Sequence, residues 1–465
     1  MAGGSPAQEL AVETTAIDGL LVVRIPVHGD ARGWFKENWQ RAKMVDLGLP
    51  DFGPVQNNVS YNAARGATRG IHAEPWDKLV SVATGRIFGA WVDLREGAGF
   101  GTVVTLELGP DRAVFVPRGV GNSYQALEDA TAYTYLVNDH WRPGLTYPAV
   151  ALDDPALGID WPIPLAEAEV SEKDRRNPVL ADVTAFRRRR PLVLGGGGQL
   201  GRALARAFPK ALVADRSVLD LTDADAVAAW AWGDHDVVLN AAAYTAVDAA
   251  ETPEGRRAAW AANAAAPARL AALAREHGFT LVHYSSDYVY DGTVVEHVED
   301  EPLAPLGVYA QSKAAGDLAV GTAPRHYVLR TSWVVGDGGN FVATMARLAR
   351  DGVRPSVVGD QVGRLTFTDT LAEATRHLLA SGAPSGVYHC TNAGEPTSWA
   401  DVARQVFELR GRDGGDVTTV TTEDYAAGKA LAPRPAHSTM SLAKLRATGF
   451  EPEDAATALA RYLTD

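Results

Sequence analysis

Tyr309 and Lys313 stand four residues apart in VYAQSKAAGDLAV, a segment with a helical pattern, so both side chains share one face. A lysine there lowers the phenol pKa and holds the ribose of a nicotinamide. A phenol so tuned donates its proton to the alkoxide formed when hydride reaches a carbonyl carbon. Ser285 and Ser286 end the apolar run LVHYSS, at the carboxyl edge where open α/β sheets bind ligands, and a hydroxyl there polarises a carbonyl. Ser286, Tyr309 and Lys313 together make a ketone-reducing triad.

Gly195, Gly198 and Gly201 follow the strand-like PLVL and open the helix-like QLGRALARAF. Bare backbone at a strand-to-helix junction lets a pyrophosphate reach the helix N-terminus. In a chain with 45 glycines the spacing alone means little, and its place after a first strand is what gives it weight. Asp215 ends the next strand, where a carboxylate holds the ribose 2′-hydroxyl of NAD, while Arg216 beside it suits a 2′-phosphate. The pair leaves NADPH or NADH open.

A second set of chemically capable residues lies far upstream. His72 closes Arg69-Gly70-Ile71-His72, Lys78 begins KLVSVA, and Arg32 and Glu37 sit in DARGWFKE. Several basic groups around one histidine suit an anionic substrate.

The elements that must carry these residues differ between the two halves. LLVVRI, KLVSVA, RIFGAWVDL, TVVTLEL, AVFV and AYTYLV are short β-rich runs separated by Gly, Pro and Asp, which predicts an all-β sandwich or barrel. From Pro191 onward strand-like and helix-like segments alternate, which predicts a parallel sheet covered on both faces. The expected organisation is a disordered tail at 1–12, a first domain at 13–183, an arginine-rich linker at 184–190 and a second domain at 191–465. A length of 465 residues exceeds what one core usually serves.

Net charge of −13 disfavours nucleic acid, and no apolar run is long enough to span a bilayer. The N-terminus lacks a signal-peptide pattern, so a cytoplasmic location with no membrane partner is expected. The single Cys390 excludes an internal disulfide and a cysteine-rich zinc site, and no His, Asp or Glu cluster has the spacing of metal ligands.

LGGGGQLGRAL, LDLTD, VVLNAAAYTAVDAAE, VHYSSDYVYDG, VYAQSKAAGD, LRTSWVVG, GNFVATM, GDQVGRLT and RPAHSTMSL resemble, in order, the dTDP-4-dehydrorhamnose reductase branch of the extended short-chain dehydrogenases. The resemblance implies a Rossmann domain with a small substrate-binding subdomain. It implies that Gln199, Leu200, Asp220, Ala241, Ala242 and Tyr244 join the glycines at the cofactor, and that Thr245, Val247, Trp333 and Arg434 approach the sugar nucleotide. Mg2+ is implied by resemblance alone, with no residue assigned to it. The chain departs from the family at Ser286, usually Thr, and at Arg364-Leu365, usually a small residue and Pro.

DARGWFKEN, QNNVS, TRGIH, KLVSVATGRIFGAWVDLR, FVPRGVG, DDPALGIDWP and VSEKDRRNP resemble dTDP-4-dehydrorhamnose 3,5-epimerases, cupin-like jelly rolls that use no cofactor. By that resemblance His72 is the general base, Asp174 its orienting partner, Lys78 the cation facing an enolate oxygen and Tyr135 the acid on the opposite face. Arg32, Glu37, Gln56, Asn58 and Arg69 contact the nucleotide and diphosphate. The family commonly has His where Asn122 stands, and a second family aromatic is replaced near Trp141. Asn122 keeps hydrogen bonding but brings no positive charge.

The expectation is a bifunctional enzyme that epimerises a dTDP-4-keto-6-deoxyhexose and then reduces its C4 ketone, and by resemblance a homodimer. Three alternatives stand beside it: a reductase with a degenerate epimerase-like binding module, the same chemistry on another deoxysugar nucleotide, and a dinucleotide-binding sensor.

Overall fold

In the first half, segments rich in Val, Ile and Tyr pair into two sheets, and the computed structural model describes residues 9–141 and 146–464. The strands are β1 (Ala11–Thr14), β2 (Leu21–Arg24), the hairpin β3 (His28–Asp30) and β4 (Gly33–Phe35), then, after helix α1 (Arg41–Asp46), β5 (Gln56–Asn62), β6 (Ala67–His72) and β7 (Lys78–Thr84). They continue as β8 (Ile87–Asp93), β9 (Val103–Leu108), β10 (Arg112–Val116), β11 (Val120–Ala126), β12 (Thr131–Val137) and β13 (Glu169–Val170). One sheet has the order β1-β2-β10-β7-β12-β5 and the other β13-β6-β11-β8-β9. Val80, Val82, Trp91, Val114, Tyr124 and Tyr133 fill the space between them. This is the expected jelly-roll sandwich.

The strongly apolar runs are all strands, but β5, β6 and β11 were not among the expected ones. Their sequences, QNNVSYN, ATRGIH and VGNSYQA, are polar because alternate side chains face a polar cavity instead of the core.

The chain divides into two compact units at Arg188 and Arg189. The ends of the first unit correct two boundary expectations. Residues 1–8 of the expected tail lie outside the described residues, while Ala11 and Val12 pair with Arg24 and Val23, so strand structure begins inside it. The expected linker at 184–190 is no free segment. Phe186 exchanges backbone hydrogen bonds with Leu94 and Glu96, at 2.7 and 3.0 Å. In the second unit, Arg189 donates to the carbonyls of Gly233 and His277, and Arg190 N to Asp234 O.

The second unit begins with β14 (Leu192–Leu194), α2 (Gln199–Ala207), β15 (Leu212–Ala214), α3 (Ala224–Ala229) and β16 (Val237–Asn240). After α4 (Pro253–Trp260), a π-helical turn at Ala261–Ala265 leads into α5 (Ala266–His277), followed by β17 (Thr280–Ser286), α6 (Val308–Val320) and β18 (His326–Thr331). Next come β19 (Val334–Val335), α7 (Phe341–Arg350), β20 (Ser356–Val358), β21 (Val362–Gly363), β22 (Thr366–Phe367), α8 (Thr368–Ser381), β23 (Gly386–His389), β24 (Thr397–Ser398), α9 (Trp399–Leu409) and β25 (Thr418–Val420). The main sheet is parallel, β15-β14-β16-β17-β18-β23. Its order reverses between β14 and β16, which opens a crevice at their carboxyl ends.

One apolar cluster packs α5 on one face of the sheet through Leu270, Ala271 and Ala274, and another packs α2 and α8 on the opposite face through Leu204, Leu371 and Leu378. A third gathers α7, α9 and the C-terminal segment around Val342, Phe407 and Leu459, and forms the small subdomain. No helix among the described residues is long and apolar enough to cross a membrane.

Leu270 is fully buried on α5. Truncating it leaves a cavity under the sheet, so Leu270→Ala should cost about 2–5 kcal/mol. Denaturant titration of the second unit's unfolding should show the lower midpoint.

Candidate functional site

The first unit carries a cavity lined by most of its expected site residues, and the second carries one lined by the expected cofactor residues but not by Ser286, Tyr309 or Lys313. In the first, β5, β7 and β12 of one sheet and β6, β11 and β13 of the other enclose about 720 Å³. Gln56, Asn58, Arg69, His72, Lys78, Asn122, Tyr135 and Asp174 all line it.

His72 ends β6, and its Nε2 lies 2.8 Å from Asp174 Oδ1. The carboxylate accepts Nε2–H, which leaves Nδ1 with a lone pair to take a proton. Asp174 is 5% exposed. Burial opposes its ionisation, but hydrogen bonds from His72 and Gly70 N hold its carboxyl below the ordinary value. Tyr147 meets the His72 ring edge-on at 5.9 Å, and burial pushes its phenol up to about 12.

Lys78 starts β7 with its side chain buried and ion-paired to Glu74 four residues earlier. Tyr135 on β12 is held protonated by burial first and by Glu74 second, with Arg69 opposing. A phenol kept in its neutral form is a proton donor. Asn122 stands opposite His72 in the strand register. Its Oδ1 accepts from Trp91 Nε1 at 2.9 Å and from the Tyr133 hydroxyl at 3.1 Å. Both lone pairs are used in holding two aromatic rings, a structural task that needs no charge.

Arg32 and Glu37 are not brought to this cavity. Arg32 is exposed on the turn of the β3–β4 hairpin, bonded to Asp30, and Glu37 pairs with Lys43 at 2.6 Å beside a separate concavity. Glu74 and Tyr147 line the cavity and escaped the sequence analysis. Glu74 occupied no motif position, and Tyr147 sits on a loop far along the chain from His72.

In the second unit a cavity of about 650 Å³ lies at the strand-order reversal, lined by Gly195, Gly198, Asp215, Arg216, Asp220, Ala241, Ala242 and Tyr244. Gly195 has φ +76°, and a Cβ there would meet Ala242 N at 2.6 Å. Gly201 packs so closely that a Cβ would sit 2.2 Å from Gly195 O. Backbone thus approaches backbone, and the N-terminus of α2 faces the crevice, a cradle that fits a dinucleotide pyrophosphate.

Leu200 turns away to pack in the core, and Gln199 Nε2 donates to Gly339 O with its Oε1 buried and unbonded among the described residues. Asp215 accepts from Ser217 N, Ser217 Oγ and Val218 N. Arg216, its side chain 83% exposed, reaches Asp220 at 3.0 Å.

Tyr309 and Lys313 lie one turn apart on α6, against the end of β17. The phenol stands close to Ser286, whose Oγ donates to Asp287 Oδ1 at 2.8 Å. Burial raises the Asp287 carboxyl to about 6. Ser285 is buried in the same strand end.

The expectation that Lys313 lowers the Tyr309 pKa is corrected here. Burial first, and the charge of Asp287 second, raise that pKa above the ordinary phenol value. The Lys313 ammonium instead donates to Tyr284 O at 2.6 Å. Burial pulls its pKa down to about 8, with Asp317 opposing.

Asn263, in the π-helical turn, accepts from Tyr244 N and donates to Tyr244 O and Ser312 Oγ, which ties the cofactor loop to α6. No glycine or triad signal marked it in the sequence. Thr245 is exposed and Val247 half-buried on the loop after β16. Arg434 pairs with Asp248 at 2.8 Å, and Trp333 stacks on Trp399 with ring centroids 3.8 Å apart. Arg364 turns inward to the carbonyls of Gly394 and Met440, and Leu365 is buried, so this departure from the family pattern supports the fold. Among the described residues no three His, Cys, Asp or Glu side chains gather to hold a metal.

Residues 14–182 match the family model described as dTDP-4-dehydrorhamnose 3,5-epimerase, and residues 189–465 match the RmlD substrate binding domain. An RmlC homolog from Streptococcus pyogenes serotype M6 is 51% identical over 178 residues, covering 37% of this chain and 89% of that protein. A probable dTDP-4,6-dihydroxy-2-methyloxan-3-one 4-ketoreductase from Streptomyces antibioticus is 42% identical over 276 residues, covering 56% of this chain and 90% of that one. Among solved structures, the Bacillus anthracis dTDP-4-dehydrorhamnose reductase in complex with NADP superposes with a TM-score of 0.56 at 31% identity, covering 60% of this chain and 99% of that one.

The cradle has a direct test. A methyl group at Gly201 has no room, and overpacking of this kind costs about 1–3 kcal/mol. Gly201→Ala should therefore raise the Kd for a nicotinamide dinucleotide ~10-fold or more, measured by calorimetry.

Proposed function

The chain belongs to the dTDP-4-dehydrorhamnose 3,5-epimerase family over its first unit and to the dTDP-4-dehydrorhamnose reductase family over its second, and from this membership we infer a bifunctional enzyme of dTDP-L-rhamnose formation. The first unit epimerises dTDP-4-dehydro-6-deoxy-D-glucose at C3 and C5. The second reduces the C4 ketone of the product. The observation that carries this reading is that an acid–base pair in a polar cavity and a Ser–Tyr–Lys cluster beside a dinucleotide cradle occur in one chain.

In the first site His72, oriented by Asp174, takes the proton from a carbon next to the ketone. The developing enolate needs a cation in a poorly solvated place, and buried Lys78 supplies it. Tyr135, neutral at physiological pH, returns a proton on the opposite face, so the carbon inverts. Gln56, Asn58 and Arg69 hold the nucleotide diphosphate, and a second copy of the chain completes the assembly as a homodimer. Asn122, with its oxygen committed to Trp91 and Tyr133, shapes the wall beside His72. That gives it a role in an active epimerase, whereas a degenerate binding module would have no use for an intact His72–Asp174 pair.

In the second site a bound nicotinamide supplies the hydride. Tyr309 gives its proton to the oxygen at C4, Ser286 polarises the carbonyl once its hydroxyl turns from Asp287 to the substrate, and Lys313 holds the ribose. Thr245, Val247, Trp333 and Arg434 face the sugar nucleotide. NADPH is the proposed cofactor, supported by Arg216 at the cavity rim and by the NADP in the Bacillus anthracis relative. Asp215 lines the same cavity with one carboxylate oxygen, Oδ1, committed to its own loop.

The full chain with dTDP-4-dehydro-6-deoxy-D-glucose and NADPH should oxidise the cofactor and yield dTDP-L-rhamnose, identified by NMR. In D2O without cofactor, deuterium should enter C3 and C5, and His72→Ala should abolish that exchange. Retention of protons at both carbons in the wild-type chain would reduce the first unit to a binding module. Tyr309→Phe should bind NADPH normally and turn over ~100-fold or more slowly, because only the proton donor is lost.

A further inference from the structure

Behind Lys313 lies a buried pair of side chains that the reducing triad does not include. His283 on β17 is 0% exposed, with Nε2 facing Lys313 Nζ at 3.4 Å and Nδ1 facing the Asn240 amide at 3.1 Å. Asn240, 1% exposed, ends β16, immediately before the Ala241–Ala242 backbone that lines the cofactor cavity. α6 comes near enough for this contact because position 316 is glycine. A Cβ there would lie 2.1 Å from Asn263 O and 3.5 Å from His283 Nε2.

Burial, and then the charge on Lys313, drive the His283 pKa well below its ordinary value, so the ring is neutral. A neutral imidazole carries one proton. An ammonium can donate to Nε2 only when that proton is on Nδ1, and Nδ1–H then needs an acceptor. The Asn240 amide offers one. Its Oδ1 is buried and unbonded among the described residues while Nδ2 faces the ring, and a half-turn of the amide brings Oδ1 to Nδ1–H. The Lys313 ammonium then has two of its three hydrogens placed, on Tyr284 O and His283 Nε2, and the third is free for a ligand.

We propose that His283, oriented by Asn240, is a positioning residue for Lys313, an acceptor that holds the ammonium in place and favours its charged form. The proposal rests on the reading of Lys313 as the ribose-holding lysine of the reductase. Other titratable groups lie in this part of the site. Tyr309 and Asp317 lie on its own helix, Asp317 is paired at 3.0 Å with Arg330 of β18, and Asp287 follows β17. Of these, Asp317 raises the Lys313 pKa, while His283 supplies a neutral lone pair.

Three substitutions in the full chain separate positioning from packing. His283→Leu fills the space without an acceptor. His283→Asn keeps polarity toward Asn240 but ends short of Lys313, and His283→Gln reaches as far as Nε2. Removing the acceptor disfavours the charged lysine, so the alkaline limb of kcat should move to lower pH in the Leu and Asn variants. Their kcat at neutral pH should fall ~10-fold or more. Gln should recover both. NADPH affinity, which needs no sugar substrate, should follow the same order, with Leu and Asn losing affinity as the pH rises and Gln holding it. Equal pH profiles and equal NADPH affinity in all three variants would overturn the proposal, whether their rates are high or low. If the Leu variant fails to fold, the Asn–Gln contrast decides. Absence of turnover in the wild-type chain would count against the reductase reading, while the NADPH titrations would still decide the role of His283.

Discussion

Desolvation governs both sites. Asp174, Lys78, Asp287, Lys313 and His283 are all nearly or fully buried, and a charge taken out of water must be matched by nearby hydrogen bonds or an opposite charge. Each site meets that demand with partners from other strands and helices. Asp174 draws on Gly70 and His72 of β6, Lys78 on Glu74, and Lys313 on the backbone and side chains of β17. The groups that act as acids and bases are therefore held by what surrounds them, and their proton affinities follow from burial as much as from charge.

The two units solve a related chemical problem by different architectures. Both handle a ketone on a sugar nucleotide. The jelly roll places His72 and Tyr135 on facing sheets, a geometry suited to inverting a carbon held between them. The parallel sheet gathers its groups at one edge, beside a crevice where the backbone comes close to a dinucleotide. Joining them in one chain couples two consecutive steps without requiring either core to change, since the apolar clusters of each unit are its own.

Much of this was legible in the residue pattern. The glycine turn, the Tyr309–Lys313 spacing and the alternation of strands and helices are local signals, each set within a few residues of chain. The site residues on β5, β6 and β11 carried a weaker signal. A strand facing a polar cavity loses the alternation that marks a strand packed on a core, so only motif resemblance found Gln56, Asn58 and Asn122. Tyr147, Asn263 and His283 carried none, because each acts through a neighbour distant in sequence, and Glu74, paired with Lys78 four residues on, stands in no motif.

The sequence by itself determined which chemistry the chain carries, because the type and local spacing of Ser286, Tyr309, Lys313, His72 and the glycines decide what bonds they can make. Tertiary structure alone decided how those groups are tuned. Tyr309 is raised instead of lowered, Lys313 is held by Tyr284 and His283, Asn122 is spent on two aromatic rings, and Arg32 and Glu37 stand apart from the cavity. Burial and long-range hydrogen bonding depend on which surfaces meet when the chain closes, and no short stretch of sequence contains that information.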